Sequence, residues 1–221
     1  MVQAITRRIV LTIACMAPFA TVAEAGEKAG GLPVKIVVLG DSLTAGLGLP
    51  ANAAFPVRLR MALQARGLKV QITNAGVSGD TASAGLARVD WSVPEGTEAV
   101  ILELGANDAL RGVDPKLTHA ALDRLIRHLK ERGIAVLLCG MRAPRNMGAD
   151  YARAFDAIFP ALAESHDVLF YAFFLDGVAA DPKLNQDDGI HPNGAGIDVI
   201  VKRLLPKAEE LIARVRARRG S

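Results

Sequence analysis

Cysteine is nearly absent: the 221 residues include only Cys15 and Cys139. Cys15 lies in an N-terminal segment expected to be removed, which leaves one thiol and no internal disulfide. Cys139 closes the apolar run 134–138 and reads as a small buried hydrophobe, with nothing beside it in sequence to activate it. Aromatic residues make up 5% of the chain, too few for the stacking platforms that bind single-stranded nucleic acid. Charge of one sign is also lacking. The net charge is +3, and +3 − 2 + 1 = +2 without residues 1–25, which hold Arg7, Arg8 and Glu24. Basic residues cluster only at Arg214, Arg216, Arg218 and Arg219, a pattern that suits the solvated C-terminal end of a helix. No nucleic-acid partner is expected. There is no lysine between Gly40 and Phe55, so the glycines there match neither dinucleotide nor phosphate-loop signatures. Of the four histidines only His191 stands near a strand end. His119 and His128 fall on a predicted helix and His166 closes another. A metal site from Asp187, Asp188 and His191 would lack a second imidazole, so neither metal nor cofactor is expected.

What is present describes one globular domain behind a leader. Hydrophobic residues make up 51% and charged residues 22%, the balance of a core-forming protein. Arg7-Arg8 precede a mostly apolar stretch, Ile9 to Val22, that is too short to span a bilayer, and Ala23-Glu24-Ala25 follows as a small-residue cleavage site. Residues 1–25 therefore read as a Sec-type signal peptide, with a twin-arginine route as the second reading, and the mature protein as periplasmic or secreted. Residues 26–33 read as a linker and 34–221 as a single domain, monomeric and without stable membrane insertion.

Strand-like and helix-like segments alternate through that domain. Strands are predicted over 34–39, 70–74, 98–104, 134–139 and 167–171, each short and apolar or β-branched. Helices are predicted over about 55–66, from near Thr81, over 116–132, over about 149–165, and from near Asn193 to about Arg216. The 116–132 helix places Leu117, Ala121, Leu122, Leu125, Ile126 and Leu129 on one face. The series implies a mostly parallel five-stranded sheet covered by helices on both faces, with its loops of chemical interest at the carboxyl edge.

Four loops carry the unusual residues. The first strand runs into Gly40-Asp41-Ser42-Leu43, where Gly40 would allow a sharp turn and either Asp41 or Ser42 could cap the next helix. Thr44 breaks the G-x-S-x-G pattern of the nucleophile elbow. The last loop holds Asp188-Gly189-Ile190-His191, whose spacing lets a carboxylate reach the imidazole Nδ1–H and leaves Nε2 as a base. A serine at one strand end and Asp-x-x-His at another favour a nucleophile with its base. Oxyanion donors could come from the Ser42 N–H, the Gly79 N–H and the Asn107 side chain, though each loop also has a plain turn-forming reading. Segments 110–113 and 144–151 are the expected pocket walls, with Leu110, Arg111, Gly112 and Pro144 as candidate substrate contacts. An exported flavodoxin-like ligand-binding protein without catalysis is the alternative of a different class.

Taken together, the blocks GDSL, SGDT, GxND and DGIHPN resemble the SGNH (GDSL-type) hydrolase family over essentially the whole mature chain. The stretches GDSLTAGLGLP, NAGVSGDTASAGL, LGANDALRG, MRAPRNMGADY and QDDGIHPN look like its small periplasmic branch of acyl thioesterases, lysophospholipases and arylesterases. The resemblance implies a flavodoxin-like three-layer α/β/α sandwich. It implies Ser42 as nucleophile, Asp188 and His191 as the other triad members, and Gly79 and Asn107 as oxyanion donors beside Ser42. It also implies a broad ester and thioester hydrolase whose loop near 109–113 moves on acyl binding.

Overall fold

The computed structural model describes residues 31–220. The expected signal peptide and linker residues 26–30 lie outside the described residues. The element order is β1 (Val34–Gly40), α1 (Ser42–Ala45), α2 (Phe55–Ala65), β2 (Val70–Gly76), α3 (Ala82–Ala87), α4 (Val89–Ser92), β3 (Ala99–Glu103), α5 (Ala106–Leu110), α6 (Pro115–Glu131), β4 (Ala135–Cys139), α7 (Ala149–Asp156), α8 (Ile158–His166), β5 (Leu169–Tyr171) and α9 (Gly194–Arg219). The strands form one parallel sheet in the order β2-β1-β3-β4-β5, the flavodoxin-like arrangement. On the sheet's faces α2 packs with α9, while α3, α6 and α8 form the other group.

Burial explains which strands lie where. β3 and β4 are buried at every position and β1 at all but Lys35, as expected of strands covered on both faces. β2, at one edge, exposes or half-exposes every residue after Val70. The order reverses between β1 and β3, so the loops after these two strands diverge and leave a crevice at the carboxyl edge.

The short helices α1 and α5 are not among those expected from sequence, the helix expected from near Thr81 is two, α3 and α4, and two longer helices also depart from the sequence expectation. In α6 the buried face is Thr118, Ala121, Leu122, Leu125, Ile126 and Leu129, whereas Leu117 is 61% exposed. Thr118 takes the inward position because its hydroxyl donates to Asp108 Oδ1 at 3.0 Å, while Asp108 Oδ2 accepts from the Ala82 N–H at 2.8 Å. One buried carboxylate thus joins the starts of α3 and α6 to α5. The helix expected over 149–165 is two, α7 and α8, broken at Ala157. Pro160 has no N–H to offer the Asp156 carbonyl, and its ring crowds that carbonyl, which favours a break at this point, although α9 runs on through Pro206. Two of the other histidines pair with carboxylates, His128 with Asp90 and His166 with Asp123.

Candidate active site

The turn after β1 is both a helix cap and the seat of the serine. Asp41 Oδ1 accepts from the Leu43 N–H at 2.9 Å and caps α1, which makes Ser42 the first helical residue. A first-turn N–H has no partner within its own helix, so the Ser42 N–H is left to other acceptors. Gly40 has no left-handed φ, so freedom to turn is not why glycine stands there. A Cβ at this position would lie 2.1 Å from Thr44 Oγ1 and 2.5 Å from Glu103 Oε2, so the site requires empty space.

Ser42 is 8% exposed, and its Oγ lies 2.8 Å from His191 Nε2. His191 Nδ1 lies 2.5 Å from Asp188 Oδ2. The spacing of three residues works because Asp188 Oδ1 also accepts the backbone N–H groups of Ile190 and His191, both at 2.9 Å, folding the turn around the carboxylate. Those bonds, the His191 N–H first and then the imidazole, hold the Asp188 carboxyl down at about 2, so it is ionised throughout the neutral range. An ionised acceptor on Nδ1 fixes the tautomer that leaves Nε2 free to accept the serine proton. Gln186 stitches this loop to the one after Ser42, its Nε2 donating to Leu47 O at 2.8 Å and Pro192 O at 3.0 Å.

The candidate oxyanion donors lie on the loops after β2 and β3. Gly79 has φ +88°, which favours glycine, and its carbonyl accepts from Arg111 Nη2 at 2.9 Å. Asn107 Nδ2 donates to Asp41 Oδ2 and to the Asp80 carbonyl, each at 3.0 Å. Both amide hydrogens are therefore in use, and an oxyanion must compete with one of these acceptors. Asp41 is fully buried, and burial pushes its carboxyl up to about 6, against the opposing pull of Leu43 and Asn107.

A cavity of about 480 Å3 opens beside Ser42 and His191. Its wall includes Leu43, Leu110, Met141, Pro144, Phe173 and Leu175, with Arg142 and Arg145 as its cations. The Arg142 guanidinium lies over the Phe173 ring, 4.8 Å from its centroid. Of the candidate substrate contacts, Leu110 and Pro144 line this cavity; Arg111 and Gly112 do not. A larger groove of about 800 Å3 runs between α3 and α6 and holds no member of the constellation. Among the described residues no three His, Cys, Asp or Glu side chains are grouped to hold a metal ion.

Sequence reasoning missed the polar support under the serine. Arg88, 7% exposed, donates to the Gly40 carbonyl at 2.9 Å and to Ser92 Oγ at 2.8 Å, and pairs with Asp80 at 2.5 Å. Its only sequence signal is its place on the helical stretch after Thr81, which reads as a solvated position. Phe173 and Arg142 lie outside the segments expected as pocket walls, whereas Arg145 lies within 144–151.

Residues 38–199 match the GDSL-like Lipase/Acylhydrolase family. The chain is 41% identical over 159 residues to an arylesterase of Vibrio mimicus, covering 72% of this chain and 80% of that protein. It is equally similar to the thioesterase 1/protease 1/lysophospholipase L1 of Escherichia coli K12, covering 72% of this chain and 75% of that one. Among solved structures, the SGNH-hydrolase family esterase AlinE4 superposes with a TM-score of 0.69 at 42% identity, over 81% of this chain and 97% of its own. A flavodoxin-like sheet bearing these four loops, matched over most of its length by esterases, makes the chain a member of the GDSL-like (SGNH) lipase/acylhydrolase family of hydrolases.

Proposed function

We propose that the protein is an exported serine esterase that hydrolyses acyl and aryl esters, and acyl thioesters or lysophospholipids, through a Ser42–His191–Asp188 triad. The observation that carries this is the relay of contacts, 2.8 Å from Ser42 Oγ to His191 Nε2 and 2.5 Å from His191 Nδ1 to Asp188 Oδ2. His191 takes the Ser42 proton as Oγ attacks the substrate carbonyl. Ser42 N–H, Gly79 N–H and Asn107 receive the tetrahedral oxyanion. His191 returns the proton to the departing alcohol, phenol or thiol, and water activated by the same imidazole then releases the acid. The mostly apolar cavity wall suits an acyl chain or aryl ring. Export is supported by the charged, apolar and small-residue order of residues 1–25, and the names of the similar proteins support the range of leaving groups.

The test is turnover of a p-nitrophenyl acyl series from acetate to palmitate, with Ser42→Ala beside wild type. Activity that disappears in the variant is expected, and the chain-length optimum then reports the depth of the cavity. Wild-type rates in Ser42→Ala would reject the nucleophile, and inactivity across the series would bring forward the ligand-binding alternative.

A further inference from the structure

Glu103 is a buried carboxyl that the proposed reaction leaves unused. It ends β3, is fully buried, and sits in register with Gly40 of β1. One oxygen, Oε2, accepts the Thr44 hydroxyl at 2.7 Å and the backbone N–H of Asp41 at 3.3 Å. These two donors bracket Ser42. The other oxygen, Oε1, is buried without a partner among the described residues. A buried carboxyl with an unpartnered oxygen is a liability that an apolar side chain would not bring to the end of a strand. What Oε2 holds is therefore the feature to explain. Thr44 is fully buried too, and its hydroxyl is committed to Glu103. Gly40 supplies the room in which these two groups meet.

The helix they grip needs outside support. α1 has four residues, a single turn, and a first turn costs more order than its hydrogen bonds return. β3 is buried along its whole length and is paired on both sides, so it is a firm anchor. We propose that Glu103 and Thr44 are positioning residues: the Thr44–Glu103–Asp41 clamp holds the Ser42 turn so that Oγ stays within hydrogen-bond reach of His191. The inference rests on Ser42 being the nucleophile. It acts through hydrogen-bond geometry, not through charge on Glu103.

The experiment compares the full chain with Thr44→Val, Thr44→Ser, Glu103→Gln and Ser42→Ala. It measures kcat and KM on p-nitrophenyl butyrate, the rate of inactivation by a p-nitrophenyl phosphonate, and the melting temperature. Displacement of a reacting group by about 1 Å costs about 100-fold. Thr44→Val is therefore expected to lower kcat and the inactivation rate together by about 10- to 100-fold, with KM within about twofold. Thr44→Ser restores the hydroxyl and most of the rate, and Glu103→Gln, which keeps an acceptor, loses far less than Thr44→Val. Equal kcat in Thr44→Val and Thr44→Ser, or a Thr44→Val that melts earlier but turns over like wild type, would overturn the clamp. So would a Glu103→Gln as impaired as Thr44→Val. Inactive Ser42→Ala beside an unimpaired Thr44→Val removes this inference alone, whereas active Ser42→Ala removes the nucleophile and the clamp together.

Discussion

Gly40→Ala tests the packing under the serine with a single methyl group. The added Cβ would stand 2.1 Å from Thr44 Oγ1, 2.5 Å from Glu103 Oε2 and 2.7 Å from the Glu103 carbonyl oxygen. Ordinary contact begins near 3.4 Å, so the nearest neighbour must retreat by 3.4 − 2.1 = 1.3 Å. The Glu103 carbonyl belongs to the central sheet and cannot give. Thr44 rides on the same single-turn helix as Ser42, so the retreat moves the serine. Overpacking of this kind costs about 1–3 kcal/mol of stability. A shift of this size at a reacting atom costs about 100-fold in kcat, or about 2.7 kcal/mol of barrier. The assay is kcat on p-nitrophenyl butyrate, corrected for the folded fraction from a urea titration. Gly67→Ala is the control. Its φ is +75° and nothing lies within 4 Å of the new Cβ, so it costs about 1–2 kcal/mol of backbone strain and leaves kcat alone. A Gly40→Ala enzyme with kcat within about threefold of wild type would refute the reasoning.

Three further outcomes are expected. Asn107→Ala lowers kcat by about 100- to 1000-fold with little change in KM; a loss under about tenfold takes Asn107 out of the oxyanion site. Asp188→Ala lowers kcat by about 1000- to 10,000-fold at neutral pH, because the imidazole loses the acceptor that fixes its tautomer; a loss under about tenfold would mean that another group orients His191. The third is a stability profile. Burial, and then the neighbouring Asp41, raise the Glu103 carboxyl well above its ordinary 4.5. A raised native value means that the stability of the protonated form is complete below 4.5 and is lost as pH climbs through the native value. Glu103→Gln lacks that titration, so its urea midpoint should gain on wild type between pH 5 and pH 9; a constant or shrinking difference contradicts the assignment.

The parts of the molecule that could be read from sequence are those whose cause is local or periodic. The apolar runs at 34–39 and 134–139 have no other plausible place than the middle of a parallel sheet, and the structure puts them there. Gly67 and Gly133 end helices with φ near +75°, as their positions after apolar periodicity suggest. Asp-x-x-His is a local turn, so its geometry could be anticipated from spacing alone. The capping and nucleophile readings of Asp41-Ser42 prove compatible: Asp41 makes the cap and Ser42 faces His191. What escaped depends on pairs distant in the chain. The Thr44–Glu103 bond joins residues 59 apart, and Arg88 reaches a carbonyl 48 positions away. Glu103 sits in a run of apolar residues where it reads as a strand end. Leu117 lost its inward place to Thr118 because of the Asp108 carboxylate on α5. The break at Ala157 was legible in principle, since Pro160 marks it.

The serine and the imidazole it touches are 149 residues apart in the chain. At about 5–20 residues per second, roughly 7–30 s of synthesis separate the appearance of Ser42 from that of His191. The acidic partner and the imidazole both precede α9, whose first turn is capped by Asn193 and whose far end is tied through Arg219 to the backbone of Leu32 and Pro33 and to the Glu98 carboxylate. A nascent chain thus displays its hydroxyl long before it owns a base. On the proposed mechanism, hydrolytic power arrives only with the closing helix, so the chain is inert for most of the time it is being made.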